Sequence, residues 1–203
     1  MIIAAIAVFV TSVAVKALMQ AFDHNDFPEA LLVKVEALPV IFPVHMLTGA
    51  LALVLLPLAL LLRSWPRWHR IAGRVAAVDV LVAGLTAFPV AWIEPVTPWS
   101  GAGFIAQAAV WLTFLALGIR HIRAGRVDQH RACMLLMTAT ASGAIFFRIY
   151  LASWTILAGG RHFAVFYSAD AWLGWLPPLV ATALVIKKRG SIKRAGGWGR
   201  ITR

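Results

Sequence analysis

A single cysteine, Cys133, excludes an intramolecular disulfide and any cysteine-built metal site within one chain. Acid is scarce too: eight Asp and Glu stand against 19 Lys and Arg, giving a formal charge of +11. Long polar stretches are missing, since 61% of the 203 residues are hydrophobic. A soluble domain is nearer half apolar, so this composition excludes an ordinary water-soluble domain. The signatures of common soluble enzymes are absent as well: there is no Walker loop, no GxSxG elbow and no HExxH pair. The Gly-Gly-Trp-Gly run at 196–199 follows no strand and is not a phosphate loop.

What the chain has instead is a succession of apolar runs, each near the roughly 20 residues that cross a bilayer as a helix. Spans are expected at 2–22, 40–62, 75–93, 101–119, 132–158 and 169–186. The expected fold class is therefore all-α: a polytopic membrane protein of six transmembrane helices over 1–186, followed by a mobile basic tail, 187–203. Residues 1–22 have no basic start and no small-residue cleavage site, so they read as a retained first helix rather than a signal peptide. Between the first two spans, Leu31, Leu32, Val35 and Leu38 recur at helical spacing, which predicts a short surface helix.

Charge sets the orientation. The loops 63–74 and 120–131 carry Arg63, Arg67, Arg70 and Arg74, then Arg120, Arg123, Arg126 and Arg131. With the tail they hold 15 of the 19 basic residues. The alternate loops hold Lys34 and Arg161 among Asp23, Asp26, Glu29, Glu36, Glu94 and Asp170. The positive-inside rule then predicts both termini in the cytoplasm and a place in a bacterial cytoplasmic (inner) membrane. Basic residues beside apolar spans fit anionic lipid as partner, and nucleic acid is not expected. Trp65, Trp68, Trp92, Trp99, Trp154, Trp172 and Trp175 fall near span ends, as an aromatic belt requires.

Ionisable groups inside spans are costly and are candidates for function. Lys16, His45, Glu94, Gln107 and Arg148 fall at similar depth toward the outer face and predict an outward polar pocket. The plainer reading has Lys16 snorkelling, Glu94 in water and His45 bonded to a carbonyl. Arg148, between Phe146-Phe147 and Ile149-Tyr150, is too deep for that and calls for an anionic group, a quinone carbonyl or a carboxylate. On the inner side, Arg70, Arg74, Asp79 and Arg131 predict a polar network, either a salt bridge fixing helix ends or a proton relay. His45, His69 and His130, with Arg148, are the candidates for holding a b-type haem. Cys133 reads as a small packing residue, and no metal site is expected. The two basic loops each carry a His-Arg pair, His69-Arg70 and His130-Arg131, which is either a distant repeat of helix pairs or chance. Interrupted helix pairs are not evident in the sequence; Pro39, Pro43 and Pro57 are the only hint of one.

His45 with Gly49, then Arg67-Trp-His-Arg-Ile-Ala-Gly-Arg74, then His130-Arg-Ala-Cys-Met134 and Arg148, resemble a family of bacterial predicted membrane proteins of unknown function. The resemblance covers about 40–158. The chain departs from the family pattern at Leu56-Pro57, in place of Gly-Pro, and at Cys133, in place of an aromatic. The family carries no settled activity, and its layout is similar to that of membrane haem proteins that exchange electrons with quinones. Three functions stay open: a haem- or quinone-linked redox protein; a non-catalytic membrane subunit binding lipid, a membrane-protein partner or a second copy; and a small-anion transporter.

Overall fold

The computed structural model describes residues 11, 12, 15, 16, 19 and 29–196. In chain order, α1 is Glu29–Ala37, α2 Ile41–Leu61, α3 Pro66–Trp92, α4 Pro98–Arg123, α5 Val127–Ala141, α6 Gly143–Ala158, α7 Phe163–Leu173 and α8 Leu176–Gly196. No strand occurs among the described residues. Five stretches there are long and apolar enough to cross a membrane: Ile41–Ser64, Pro66–Trp92, Pro98–Arg123, Val127–Ala158 and Phe163–Arg189. The first expected span, 2–22, lies mostly outside the described residues; Thr11, Ser12, Val15, Lys16 and Met19 within it are helical.

Between 22% and 39% of each span is buried inside the molecule. The remainder presents side chains such as Leu61, Val78 and Leu157, which are 73%, 64% and 85% exposed. In water such faces would drive aggregation, whereas in hydrocarbon they cost nothing. The chain is thus an all-α, multi-pass membrane protein.

The helices outrun the apolar runs that announce them. α3 begins at Pro66, whose missing N–H is no loss at a first helical position. Most of the basic segment 63–74 is therefore helix rather than loop. α4 and α5 likewise extend into the second basic segment, and the turn between them is short, with Gly125 at φ +69°. α8 continues past Ile186 to Gly196. Hydropathy marks the hydrocarbon layer, but the backbone ladder has no reason to stop at its edge.

α2 packs on α3 and α4 on α5 as antiparallel hairpins; α3 meets α4, and α2 touches α5. The bundle so formed is filled by Ala52, Leu56, Ala76, Val80, Leu115 and Met137. Each hairpin is stapled at its basic end. His69 Nδ1 donates to the Ala59 carbonyl at 2.8 Å, and His130 Nδ1 donates to the Gly118 carbonyl at 2.9 Å. In both cases the histidine opens the second helix and the carbonyl lies near the end of the first. The two His-Arg pairs thus occupy equivalent places in the two hairpins.

Both of the last two spans are broken partway. At Ser142 the Val127–Ala158 span loses its regular ladder: Ile145 N and Phe146 N both donate to the Ser142 carbonyl. The freed carbonyls find other donors. Ser142 Oγ donates to Ala139 O at 2.7 Å, and Gln107 Nε2 of α4 donates to Thr140 O at 3.0 Å. In the Phe163–Arg189 span, Pro177 and Pro178 lack the N–H groups that would continue the ladder. Trp175 Nε1 takes up the Ala171 carbonyl at 3.0 Å. The two breaks pack on each other. A Cβ at Gly143 would lie 2.6 Å from Trp175 Cβ, and one at Gly174 would lie 3.1 Å from the Gly143 carbonyl oxygen. Interrupted helices are therefore present, contrary to the sequence expectation. Local sequence does not show that Gln107 of α4 donates across to one break and Trp175 within its own span to the other.

Candidate functional site

The polar side chains gather at the end opposite the basic segments. The short helix α1 forms there as its spacing predicts, with Lys34 on its inner face. Lys34 Nζ pairs with Glu94 Oε2, and their side chains are 7% and 1% exposed. Glu94 Oε1 also accepts from Val96 N at 3.3 Å. The pair thus clamps α1 to the turn that follows α3. Beside it, α4 starts with a reciprocal cap, Ser100 N donating to Thr97 Oγ1 at 3.1 Å and Thr97 N to Ser100 Oγ at 3.2 Å. Thr97 Oγ1 also bonds Ser168 Oγ, joining α4 to α7.

Tyr167 of α7 faces Glu94 and lies within electrostatic reach of Arg148 and Asp170. Its ring sits in an aromatic cluster, 5.2 Å from Phe147, 6.1 Å from Phe104 and 5.4 Å from Phe163 between centroids. Arg148 Nη1 donates to Ala144 O of its own helix at 2.8 Å. No carboxylate lies at ion-pair distance from Arg148 among the described residues. His45 of α2 reaches α3: Nδ1 is 3.1 Å from Ala83 O and 3.3 Å from Thr86 Oγ1. A carbonyl only accepts, so Nδ1 carries a proton, and in that tautomer of the neutral ring the lone pair is on Nε2. Lys34 and Arg148 both lie close enough to His45 to act on it through their charge.

The structure thus brings His45, Glu94 and Arg148 into one neighbourhood and adds Lys34, Tyr167 and Asp170. Gln107 lies at the helix break and is used there. Lys16 is helical and exposed, with no ion pair among the described residues. Glu94 is neither free nor in water, since Lys34 holds it.

At the basic end the expected network does not assemble. Asp79 is 8% exposed and its Oδ2 has no hydrogen-bond partner. Arg70 and Arg74 are exposed, and Arg131 stands 4.0 Å from exposed Asp128 instead. The α3 helix begins so early that Arg70 and Arg74 ride its solvent side, away from Asp79. Cys133 is buried against α4, in keeping with a packing role.

The histidines do not combine into a haem site. Among the described residues all three bond through Nδ1 and not Nε2, the nitrogen an axial ligand would use. However, His45 lies at the opposite end of the bundle from His69 and His130. The latter two are each tied to their own hairpin, and the aliphatic core fills the bundle beyond them. The cavity between α2 and α5, lined by Leu56, Pro57 and Thr138, measures only about 60 Å³. No porphyrin fits there.

A family model described as "Predicted membrane protein (DUF2306)" matches residues 42–186. The chain belongs to this family. The resemblance read from the sequence thus holds at the level of the family. The match runs from α2 into α8 and includes His45, Glu94, Arg148, Tyr167 and Asp170, but not α1 with Lys34. Comparison with curated proteins and with solved structures found no match.

Proposed function

We propose that this membrane protein binds a quinone-type head group, a lipid-soluble ring bearing carbonyl acceptors, among His45, Arg148 and Tyr167. Arg148 carries the reading. Inside a membrane-spanning helix its guanidinium gives one hydrogen bond, to Ala144 O, and meets no carboxylate among the described residues. The group has five N–H donors. An intramembrane cation short of acceptors marks a ligand path by default. A quinone carbonyl accepts from Arg148, and the hydroxyl of the reduced form donates to His45 Nε2. The charge asymmetry supports the basic end in the cytoplasm and this cluster toward the outer face of a bacterial inner membrane.

The test is calorimetric titration of the detergent-purified protein with a short-chain ubiquinone. Saturable binding is expected, weakened tenfold or more in Arg148→Gln and less in Arg148→Lys. Binding that is absent, or equal in Arg148→Gln, defeats the reading.

One observation favours a second reading, transport of a small anion. Two interrupted spans packed break against break are a device by which transporters line a midplane site. Acetate uptake into proteoliposomes that is lost in Arg148→Ala would establish it; flux equal to that of empty liposomes would dismiss it.

A further inference from the structure

The two hairpins match at their staples and differ on their outward faces. His69 and His130 make the same bond at the same place, so residues at equal offsets from them are equivalents. Two residues before the histidine stand Arg67 and Asp128, one after it Arg70 and Arg131, and five after it Arg74 and Leu135. All six are exposed. In α5, Asp128 stands 4.0 Å from Arg131, which leaves that face near neutral. In α3 the same positions hold three arginines, and no acid stands in the first turn. None of the three meets a carboxylate at ion-pair distance among the described residues.

Spacings of three and four residues put Arg67, Arg70 and Arg74 on one face, over about 10 Å of helix axis. Like charges so placed repel, and cations in the first turns of a helix also oppose its dipole. The hairpin does not need them, since α4–α5 is closed by the same bond with Asp128 and Leu135 in two of the three places. Nor does orientation in the membrane need them stacked: the positive-inside rule counts basic residues and asks for no common face. Below them the same face turns aliphatic. Val78, Leu81 and Leu85 follow at helical spacing and are exposed. Arg74 directly precedes the apolar run that begins at Val75, at the level where the polar headgroup region meets hydrocarbon. One stripe of α3 thus carries cations at the membrane edge and an aliphatic strip beneath.

We infer that this stripe is a binding site for a phospholipid with two phosphates in one headgroup, the phosphates held by Arg67, Arg70 and Arg74 and an acyl chain laid along Val78, Leu81 and Leu85. The arginine fork grips a phosphate through two parallel hydrogen bonds. Three forks spread over about 10 Å outreach a single phosphate, whereas a headgroup bearing two spans them. The site lies at the end of the molecule opposite the cluster of His45 and Arg148 and is independent of the quinone reading.

The experiment titrates delipidated full-length protein in detergent with tetraoleoyl cardiolipin, and with dioleoyl phosphatidylglycerol at twice the concentration so that phosphate is matched. Native mass spectrometry counts the lipids retained. Cardiolipin is expected to bind at least about tenfold more tightly. Arg70→Gln with Arg74→Gln should bring it to the level of phosphatidylglycerol. Arg123→Gln with Arg126→Gln, which removes the same charge from exposed positions of the other hairpin, should leave the preference intact. Pyrophosphate, with two phosphates and no acyl chain, should not displace cardiolipin at equal concentration. Equal affinity for the two lipids at matched phosphate overturns the inference. So does an equal loss in both double variants, which is general attraction to a basic surface, and so does displacement by pyrophosphate. The wild-type comparison of lipids needs no variant, so a double variant that misfolds leaves the inference open to refutation.

Discussion

In the bundle of α2 to α5, the interior is aliphatic apart from Asp79, and each hairpin is joined at its end by a histidine-to-carbonyl bond. In the last two spans and the end they share with α1, the interior is polar: a buried ion pair, an arginine, a tyrosine, an unmatched carboxyl and two broken backbones. Both regions cross the same membrane under the same demand that every backbone group be satisfied. The α2–α3 hairpin and α4 meet it with unbroken helices. The interrupted spans meet it with side chains, Gln107, Ser142 and Trp175, and so depend on specific residues where the bundle depends on bulk. Mutations should therefore be tolerated in one region and not in the other.

The largest effect is expected at the ion pair. Lys34→Met leaves Glu94 buried without its partner, a change that costs about 3–5 kcal/mol when a buried pair is broken on one side. Thermal unfolding in detergent should show a large fall in midpoint, and Lys34→Met with Glu94→Leu should recover most of it. If the single variant is as stable as wild type, α1 is not clamped as described. Next is Gly143→Ala. The added Cβ would fall 2.6 Å from Trp175 Cβ and 2.8 Å from Gln107 Nε2, so one break would have to move off the other. Overpacking of this kind costs about 1–3 kcal/mol. Gly49→Ala, which has nothing within 4 Å, is the control from the bundle and should be silent or stabilising. Equal effects at the two glycines would erase the contrast between the regions. Gln107→Leu follows at about 1–2 kcal/mol, because the Thr140 carbonyl loses its donor; thermal unfolding should place it between Gly143→Ala and the histidine variants below.

Much of the contrast could be read from the sequence, and its limits are physical. Apolar length and the placement of arginines were enough for an all-α membrane protein, because hydrocarbon leaves few other choices. The convergence of His45, Glu94 and Arg148 followed from counting depth along helices. Lys34, Tyr167 and Asp170 were missed for two reasons. Lys34 sits in an acidic segment that reads as a surface helix, and its burial depends on Glu94, 60 residues away. Tyr167 and Asp170 lie before residue 169 or at the edge of the expected sixth span, since the helix starts at Phe163, earlier than its hydropathy indicates. Asp79 was joined to Arg70 and Arg74 by spacing alone. An early start to α3 turns those arginines outward, and spacing does not reveal where a helix begins.

The smallest effect sharpens the comparison most. His69→Phe and His130→Phe each remove one staple while keeping a ring in place. Each should cost about 1 kcal/mol, the net worth of an ordinary hydrogen bond plus a carbonyl left to water or lipid headgroups at the membrane edge. Because the two bonds have nearly the same length and occupy the same place in their hairpins, the two costs should agree within about 0.5 kcal/mol, and the double variant should be additive. Chemical unfolding in mixed micelles measures all three. Agreement and additivity would establish that the α2–α3 and α4–α5 hairpins are energetically equivalent units of a repeated pair. A loss confined to one histidine would show that the equivalence is only geometric, and that the matching His-Arg pairs do not do the same work.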